Sequence, residues 1–293
     1  MEQFHGDEAF LEAMISGVHQ LIAQPQAKRI LEIGCGTGHL SMALAKHKCM
    51  QELLVTDGSP YFLELVRDNL PPLPGVAYGV LDADQLHLLP DGYFTTVAFR
   101  YLLHHILDWK GFLGQAVKKL APGGVLVFEE PCVEGFLNQI LAVSSTMAEG
   151  LVKGGNWNWQ FLRRRQHTEK VACKQDYQNF MDTILFYLKT RVDKTASEDK
   201  HLFQTDEIFT YMNSLGLIGE FFPNQGFNTM AHGTPPNTFI QEFRHNLAVN
   251  FGFGEKVLEI FDRRIAPNLE FINEITDNAP RIKGTFRFIK QEH

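Results

Sequence analysis

The chain has 293 residues, 44% of them hydrophobic and 21% charged, the balance of a soluble globular protein with one decorated domain or two small ones. A formal net charge of −7 argues against a general nucleic-acid binder, whose surface usually carries a basic surplus. Four scattered cysteines without a C-x-x-C pair, no signal-like amino terminus and no run near the ~18–20 apolar residues of a membrane span predict a cytoplasmic protein with reduced thiols.

Residues 7–24 read as an amphipathic helix, with Asp7 as N-cap and Phe10, Leu11, Met14, Ile15, Val18, Leu21 and Ile22 at helical spacing. Next comes Arg29-Ile30-Leu31-Glu32-Ile33-Gly34-Cys35-Gly36-Thr37-Gly38, a buried strand running into three glycines spaced two apart. A helix is predicted from about Thr37 through Ala45. Glycine suits a turn that bends sharply and lets a ligand approach main-chain atoms with no Cβ in the way. The N–H groups of the following helix converge on the same point. The dinucleotide fingerprint G-x-G-x-x-G needs its third glycine where His39 stands, and no Gly-Lys-Ser/Thr follows for a phosphate loop. The phrase Leu31–Gly38 instead resembles the first motif of class I S-adenosyl-L-methionine (SAM)-dependent methyltransferases. The resemblance implies a Rossmann-like methyltransferase fold and SAM as cofactor. It also implies that Glu32, Gly34, Cys35, Gly36 and Gly38 lie beside the amino-acid end of that cofactor.

Glu52–Asp57 predicts a second buried strand that ends in a carboxylate, placed to accept hydrogen bonds from both ribose hydroxyls. Gly58 beside it joins the cofactor set, and Ser59-Pro60 starts another helix. After the stiff connector Pro71–Gly75, Val76–Val80 forms a third strand leading to Asp82-Ala83-Asp84. This acidic loop resembles the family's third acidic motif, which implies that Asp82 accepts from the adenine amino group with Ala83 alongside. Residues 93–100 form the fourth strand, whose last residue, Arg100, is also assigned to the cofactor. The following Leu103-His104-His105, with Asp108 shortly after, resembles a phrase frequent in small-molecule methyltransferases. His104 is expected to line the cleft and His105 to be packed or hydrogen-bonded. Neighbouring histidines rarely reach one ion, so no metal is expected. Asp108 caps a helix with an apolar face of Trp109, Phe112, Leu113, Ala116, Val117 and Leu120. Leu120–Gly124 ends it, and Val125–Phe128 is the fifth strand, closing with Glu129-Glu130-Pro131.

This alternation predicts an α/β fold with a doubly wound, mostly parallel seven-stranded sheet. Residues 1–133 are read as the SAM-binding core and 134–203 as a helical insertion. The core resumes over 204–223 with a helix Thr205–Leu215 and a strand Leu217–Phe222. Residues 224–281 form a second insertion, and 282–293 hold the last strand, antiparallel in the family's topology. The insertions carry many aromatics, among them Trp157, Trp159, Phe161, Tyr177 and Phe180. They are expected to form a lid over an aromatic acceptor pocket, with a homodimer interface as the alternative.

The function so read is methyl transfer to an O, N or C atom of a small molecule, with His104 or His232 as base. Two rivals stand beside it: an enzyme of this fold that uses SAM in another reaction, and a non-catalytic SAM-binding subunit. The Asn/Asp-Pro-Pro-Tyr/Phe signature of nucleic-acid amino-methylating enzymes is absent after the fourth strand. The expected partner is therefore a small-molecule substrate, with no nucleic acid and no membrane.

Overall fold

The computed structural model describes residues 8–22, 28–132, 204–223, 225–228, 240–241, 244, 247–248, 255–267 and 283–291. The chain divides into two compact units, one of residues 1–132, 198–234 and 283–293, the other of 133–197 and 235–282. Residues 134–203, which carry the expected first half of the lid, lie outside the described residues, as does His232.

In the first unit seven strands form one sheet in the order β3-β2-β1-β4-β5-β7-β6. These are β1 (Arg29–Ile33), β2 (Glu52–Asp57), β3 (Val76–Val80), β4 (Phe94–Arg100), β5 (Leu120–Pro131), β6 (Leu217–Pro223) and β7 (Lys283–Lys290). Strands β1 to β5 pair in parallel, and β7 runs antiparallel between β5 and β6, as the sequence predicts. Strand order reverses between β1 and β4, so the crevice beyond their carboxyl ends is the place where such sheets bind ligands.

Period-two alternation sorts the side chains of these strands onto two cores. Leu31, Ile33, Val97, Phe99, Leu126 and Phe128 face one side, packing with Trp109, Phe112, Leu113 and Ala116 of α4 (Trp109–Lys119) and with Ile208 and Met212 of α5 (Thr205–Ser214). Ile30, Ala98 and Val127 face the other side, beneath α1 (Glu8–Leu21), α2 (His39–Ala45) and α3 (Pro60–Asn69). The first face carries a ladder of stacked rings: Phe99 on Phe128 at 4.6 Å and Phe128 on Phe286 at 4.9 Å between centroids. These pairs sit opposite one another in register, the arrangement in which cross-strand aromatic contacts stabilise a sheet. Asp108 caps α4 by accepting the Gly111 N–H at 3.0 Å, as expected from its type and place.

Three local differences from the sequence reading have physical causes. Helix α2 starts at His39 and not at Thr37, because Gly34, Gly36 and Gly38 all take positive φ (71°, 49° and 86°) and keep the chain in a turn. Strand β5 begins at Leu120, five residues early, since Leu120 pairs with Phe94 before a register shift brings Val125 opposite Thr96. The acidic loop after β3 winds into a short 3-10 helix, Ala83–Leu88, with Gln85 reaching back to accept the Asp82 N–H at 3.1 Å.

In the second unit a helix α6 (Glu255–Ile260) passes into a wider turn, Phe261–Ile265. Arg244 binds Asp262 at 3.1 Å and Glu255 at 2.8 Å on its exposed side. Among the described residues no helix is long and apolar enough to cross a membrane.

Candidate active site

Main-chain bonds fix the glycine turn at the end of β1. Cys35 N–H donates to Thr56 O at 3.0 Å, and Gly38 N–H donates to Cys35 O at 2.9 Å. A Cβ on Gly38 would come within 2.7 Å of Val66, and one on Gly34 within 3.0 Å of Leu102, whereas nothing lies within 4 Å of the same position on Gly36. The turn is thus walled on two sides and open at Gly36, where a ligand can meet bare backbone.

Asp57, at the end of β2, is bonded to this turn. Its Oδ2 accepts the Gly36 N–H at 2.9 Å and its Oδ1 the Ser59 N–H at 2.8 Å. Each carboxylate oxygen keeps acceptor capacity for a second donor. Gly58 packs on Asp82 so closely that any side chain there would strike the Asp82 carboxylate, which ties the loops after β2 and β3 together. Asp82 and Ala83 also form part of the wall of a cavity of about 700 Å³, with His105, Ile106, Asp108 and Phe112 among the other wall residues.

Glu32 is the buried anomaly of the site. It is 1% exposed, and no well-formed hydrogen bond closes on either carboxylate oxygen, the Ser41 hydroxyl and N–H being the nearest donors. Alternation along β1 turns it to the α1 and α2 side, next to Ser41, whose hydroxyl makes no well-formed hydrogen bond elsewhere. Burial pushes its carboxyl up to about 8, with the neighbouring Ser41 hydroxyl opposing the rise and the Asp57 charge adding to it. A buried acid with no counter-charge directly behind an open glycine turn fits a cationic ligand group, such as the ammonium of an amino acid.

The sign of the resulting pH dependence follows from the raised value. Below 4.5 the carboxyl holds its proton both folded and unfolded. Between 4.5 and about 8 only the unfolded chain releases it, so stability present at low pH is lost as pH rises through that window. Urea unfolding at pH 5 and pH 8.5 should show wild type losing on the order of a few kcal/mol relative to Glu32→Gln. Parallel pH curves for the two proteins would mean that Glu32 does not hold its proton.

Beyond β4 the chain makes a strained turn. Tyr101 has φ 52°, the one non-glycine with positive φ among the described residues, and its N–H donates to Glu129 O at 2.8 Å. Two acids at the end of β5 hold this turn. Glu129, fully buried, accepts from Arg100 Nε at 2.8 Å, Tyr101 OH at 2.5 Å and Phe227 N–H at 3.2 Å. Glu130, also fully buried, takes Leu102 N–H at 2.7 Å and Leu103 N–H at 2.6 Å on Oε1, and its Oε2 lies 2.7 Å from Nδ1 of His104. Arg100 reaches toward the turn at the head of α2. Its charge adds to burial in lowering the His39 imidazole below its ordinary value.

The two histidines singled out in the sequence lie side by side, with ring centroids 4.1 Å apart. His105 is exposed in the cavity wall, while His104 is turned back on Glu130. The 3-10 turn over Leu103–His105 keeps the two rings together, and the buried Glu130 carboxylate binds Nδ1 of His104. The sequence reading took Glu129 and Glu130 only as the close of a strand. Two adjacent acids at the end of a run as apolar as Val125–Phe128 were the available signal. Alternation must send one to each face, and buried carboxylates need partners.

A family model described as a methyltransferase domain matches residues 7–188. The demethylmenaquinone methyltransferase of Thermus thermophilus is 33% identical over 111 residues, 38% of this chain and 50% of that protein. A trans-aconitate 2-methyltransferase from an Acidovorax species is 27% identical over 197 residues, 67% of this chain and 70% of that protein. Among solved structures, phosphoethanolamine N-methyltransferase 2 of Haemonchus contortus, in complex with phosphomonomethylethanolamine and S-adenosylhomocysteine, superposes with a TM-score of 0.54 at 14% identity. That likeness covers 96% of this chain and 53% of the other. A Listeria monocytogenes protein described as an S-adenosylmethionine-dependent methyltransferase gives 0.52 at 13% identity, over 96% and 98%. At these identities the structural likeness is one of fold. The chain spans half the length of the Thermus relative and about half that of the Haemonchus chain.

Proposed function

The chain belongs to the class I SAM-dependent methyltransferases, and we propose that it transfers a methyl group from SAM to a small molecule beyond the carboxyl ends of β1, β2 and β4. The observation that carries this reading is Glu32, a buried acid with no counter-charge and only weak contact to Ser41 behind an open glycine turn. When bound, SAM supplies a methyl group on a positively charged sulfur, a leaving group that needs no acid. Glu32, with the backbone of Gly34, Cys35, Gly36 and Gly38, takes the amino-acid end. Asp57 takes the ribose hydroxyls beside Gly58, Asp82 and Ala83 take the adenine, and Arg100 closes the cleft at the end of β4. Holding donor and acceptor in attack geometry supplies up to ~7–11 kcal/mol of the barrier reduction. An acceptor that still carries its proton needs a base, and His104 is the histidine of the loop touching Gly34 through Leu102 whose ring is held by a buried carboxylate. The relatives named for demethylmenaquinone and trans-aconitate support a small-molecule acceptor.

A thermal-shift titration followed by product analysis tests this. SAM and S-adenosylhomocysteine should stabilise the protein, by about 2.7 kcal/mol at a hundred times Kd, and NAD should not. S-adenosylhomocysteine should then accumulate with a low-molecular-weight metabolite fraction. Stabilisation by NAD alone, or turnover confined to protein or nucleic-acid fractions, would overturn the proposal.

A further inference from the structure

Glu130 is placed to do more than end a strand. Three groups of the loop after β4 converge on its buried carboxylate: Leu102 N–H, Leu103 N–H and the His104 ring. The same loop lays the Leu102 side chain against Gly34 at the head of the glycine turn, so Glu130 fixes His104 relative to the cofactor loop. A carboxylate can only accept, and its Oε1 is already filled by two backbone donors. The bond at Oε2 therefore requires the proton on Nδ1 of His104, and in the neutral ring the lone pair lies on Nε2. A free neutral histidine side chain prefers the opposite tautomer, so this arrangement is imposed. The His104 side chain keeps 13% exposure, against 1% for Glu130, so part of the ring is open to solvent.

We propose that Glu130 is a positioning residue that holds His104 as a general base with Nε2 open, and that the enzyme is thereby built for acceptors whose nucleophilic atom carries a proton at neutral pH. This rests on the methyltransferase reading given above and narrows it. The acceptor's lone pair bonds to the methyl carbon, the carbon–sulfur pair stays on sulfur, and the acceptor's proton passes to Nε2. Glu130 then faces an imidazolium, and the pair is electrically balanced. Phenols, alcohols and ammonium groups need that service. A carboxylate acceptor, already ionised, does not.

The tautomer can be read directly. Long-range proton–nitrogen spectra of histidine-labelled protein, with S-adenosylhomocysteine bound, should show His104 protonated on Nδ1 and bare on Nε2, and Glu130→Gln should shift it toward the other form. Glu130→Gln keeps an oxygen for the backbone donors. If it fails to fold, His104→Gln assigns the wild-type signal and leaves the other Glu130 bonds in place. In an acceptor library of phenols, amines and carboxylic acids, turnover is expected with the first two classes. His104→Ala should lower kcat ~10²–10⁴-fold, with donor affinity within twofold of wild type and partial rescue by added imidazole. Glu130→Gln should lower kcat about 10–100-fold with the same split between kcat and donor affinity. An Nε2-protonated His104, turnover with carboxylic acids alone, or a His104→Ala enzyme of unchanged kcat would overturn the inference. Absence of turnover with every small acceptor would overturn it together with the reading it rests on, whereas the other outcomes leave that reading standing.

Discussion

Replacing Asp57 with alanine is expected to weaken SAM binding by a hundredfold or more while the sheet stays folded. The carboxylate does two jobs at the switch point between β1 and β4. It accepts Gly36 N–H at 2.9 Å and Ser59 N–H at 2.8 Å, so it shapes both loops that would embrace the ribose. Its remaining lone pairs are the acceptors assigned to the two ribose hydroxyls. Hydrogen bonds to a charged group contribute roughly 1.5–3 kcal/mol each, so losing the ribose pair alone removes about 3–6 kcal/mol. Disorder of the glycine turn adds to that. Asp57→Asn should be almost as damaging, because its amide must turn a donor toward Gly36, Ser59 or a ribose hydroxyl. Asp57 is half-buried and ends a strand whose core contacts come from Leu53 and Val55, so the fold should survive. Calorimetric titration with S-adenosylhomocysteine decides the matter. An affinity within threefold of wild type in a folded Asp57→Ala protein would release Asp57 from the ribose.

The sheet was legible because its strands are apolar on both faces and its turns are marked by glycine, proline and capping residues. Ile30 and Leu31 face different cores, as do Val127 and Phe128, and both members of each pair must be apolar when helices cover both sides. Asp57 and the three glycines were legible for a different reason: a bent turn and a strand-end acid are demanded by local chemistry. The partners of a buried charge are set by strand register, which a single sequence does not display. Thus Glu129 and Glu130 were passed over, although they organise the loop after β4 more directly than any residue that was singled out. The carboxylate that holds His104 was missed for the same reason. Nothing in Leu103-His104-His105 says which ring meets a carboxylate 26 residues further on. The backbone also departs from the expected course where pairing overrides local type, as at Leu120, where a proline and two glycines suggested a turn and a strand begins instead. Local chemistry is read from the chain, but non-local pairing has to be seen.

Glu129→Ala is expected to cost about 3–5 kcal/mol of stability, the usual effect of removing one partner from a buried ion pair. The carboxylate is fully buried and joins four pieces of chain. Arg100 ends β4, Tyr101 opens the loop beyond it, Phe227 comes from the segment after β6, and Lys283, 3.9 Å away, opens β7. Gly226 gives it room, since a Cβ there would stand 2.5 Å from Oε1. Alanine would leave the Arg100 guanidinium and the Lys283 ammonium without their shared counter-ion. The buried N–H of Phe227 would lose its acceptor, and the positive φ of Tyr101 would lose the hydroxyl bond that helps to hold it. Burial alone would raise the Glu129 carboxyl, but the Arg100 and Lys283 charges and the bonds from Arg100 and Tyr101 outweigh it and hold the group below its ordinary value. A depressed carboxyl contributes stability that is present above the ordinary carboxylate range and is lost as pH falls through the folded value. The gap between wild type and Glu129→Ala should therefore be full at pH 7 and shrink on acidification below about 4. Urea unfolding followed at pH 7, 5 and 3.5 measures that gap. Glu129→Gln, which keeps the shape and some of the acceptors, should fall between the two. A gap under about 1 kcal/mol at pH 7, or one that holds constant into acid, would mean that Arg100 and Lys283 find other partners and that Glu129 does not clamp the site.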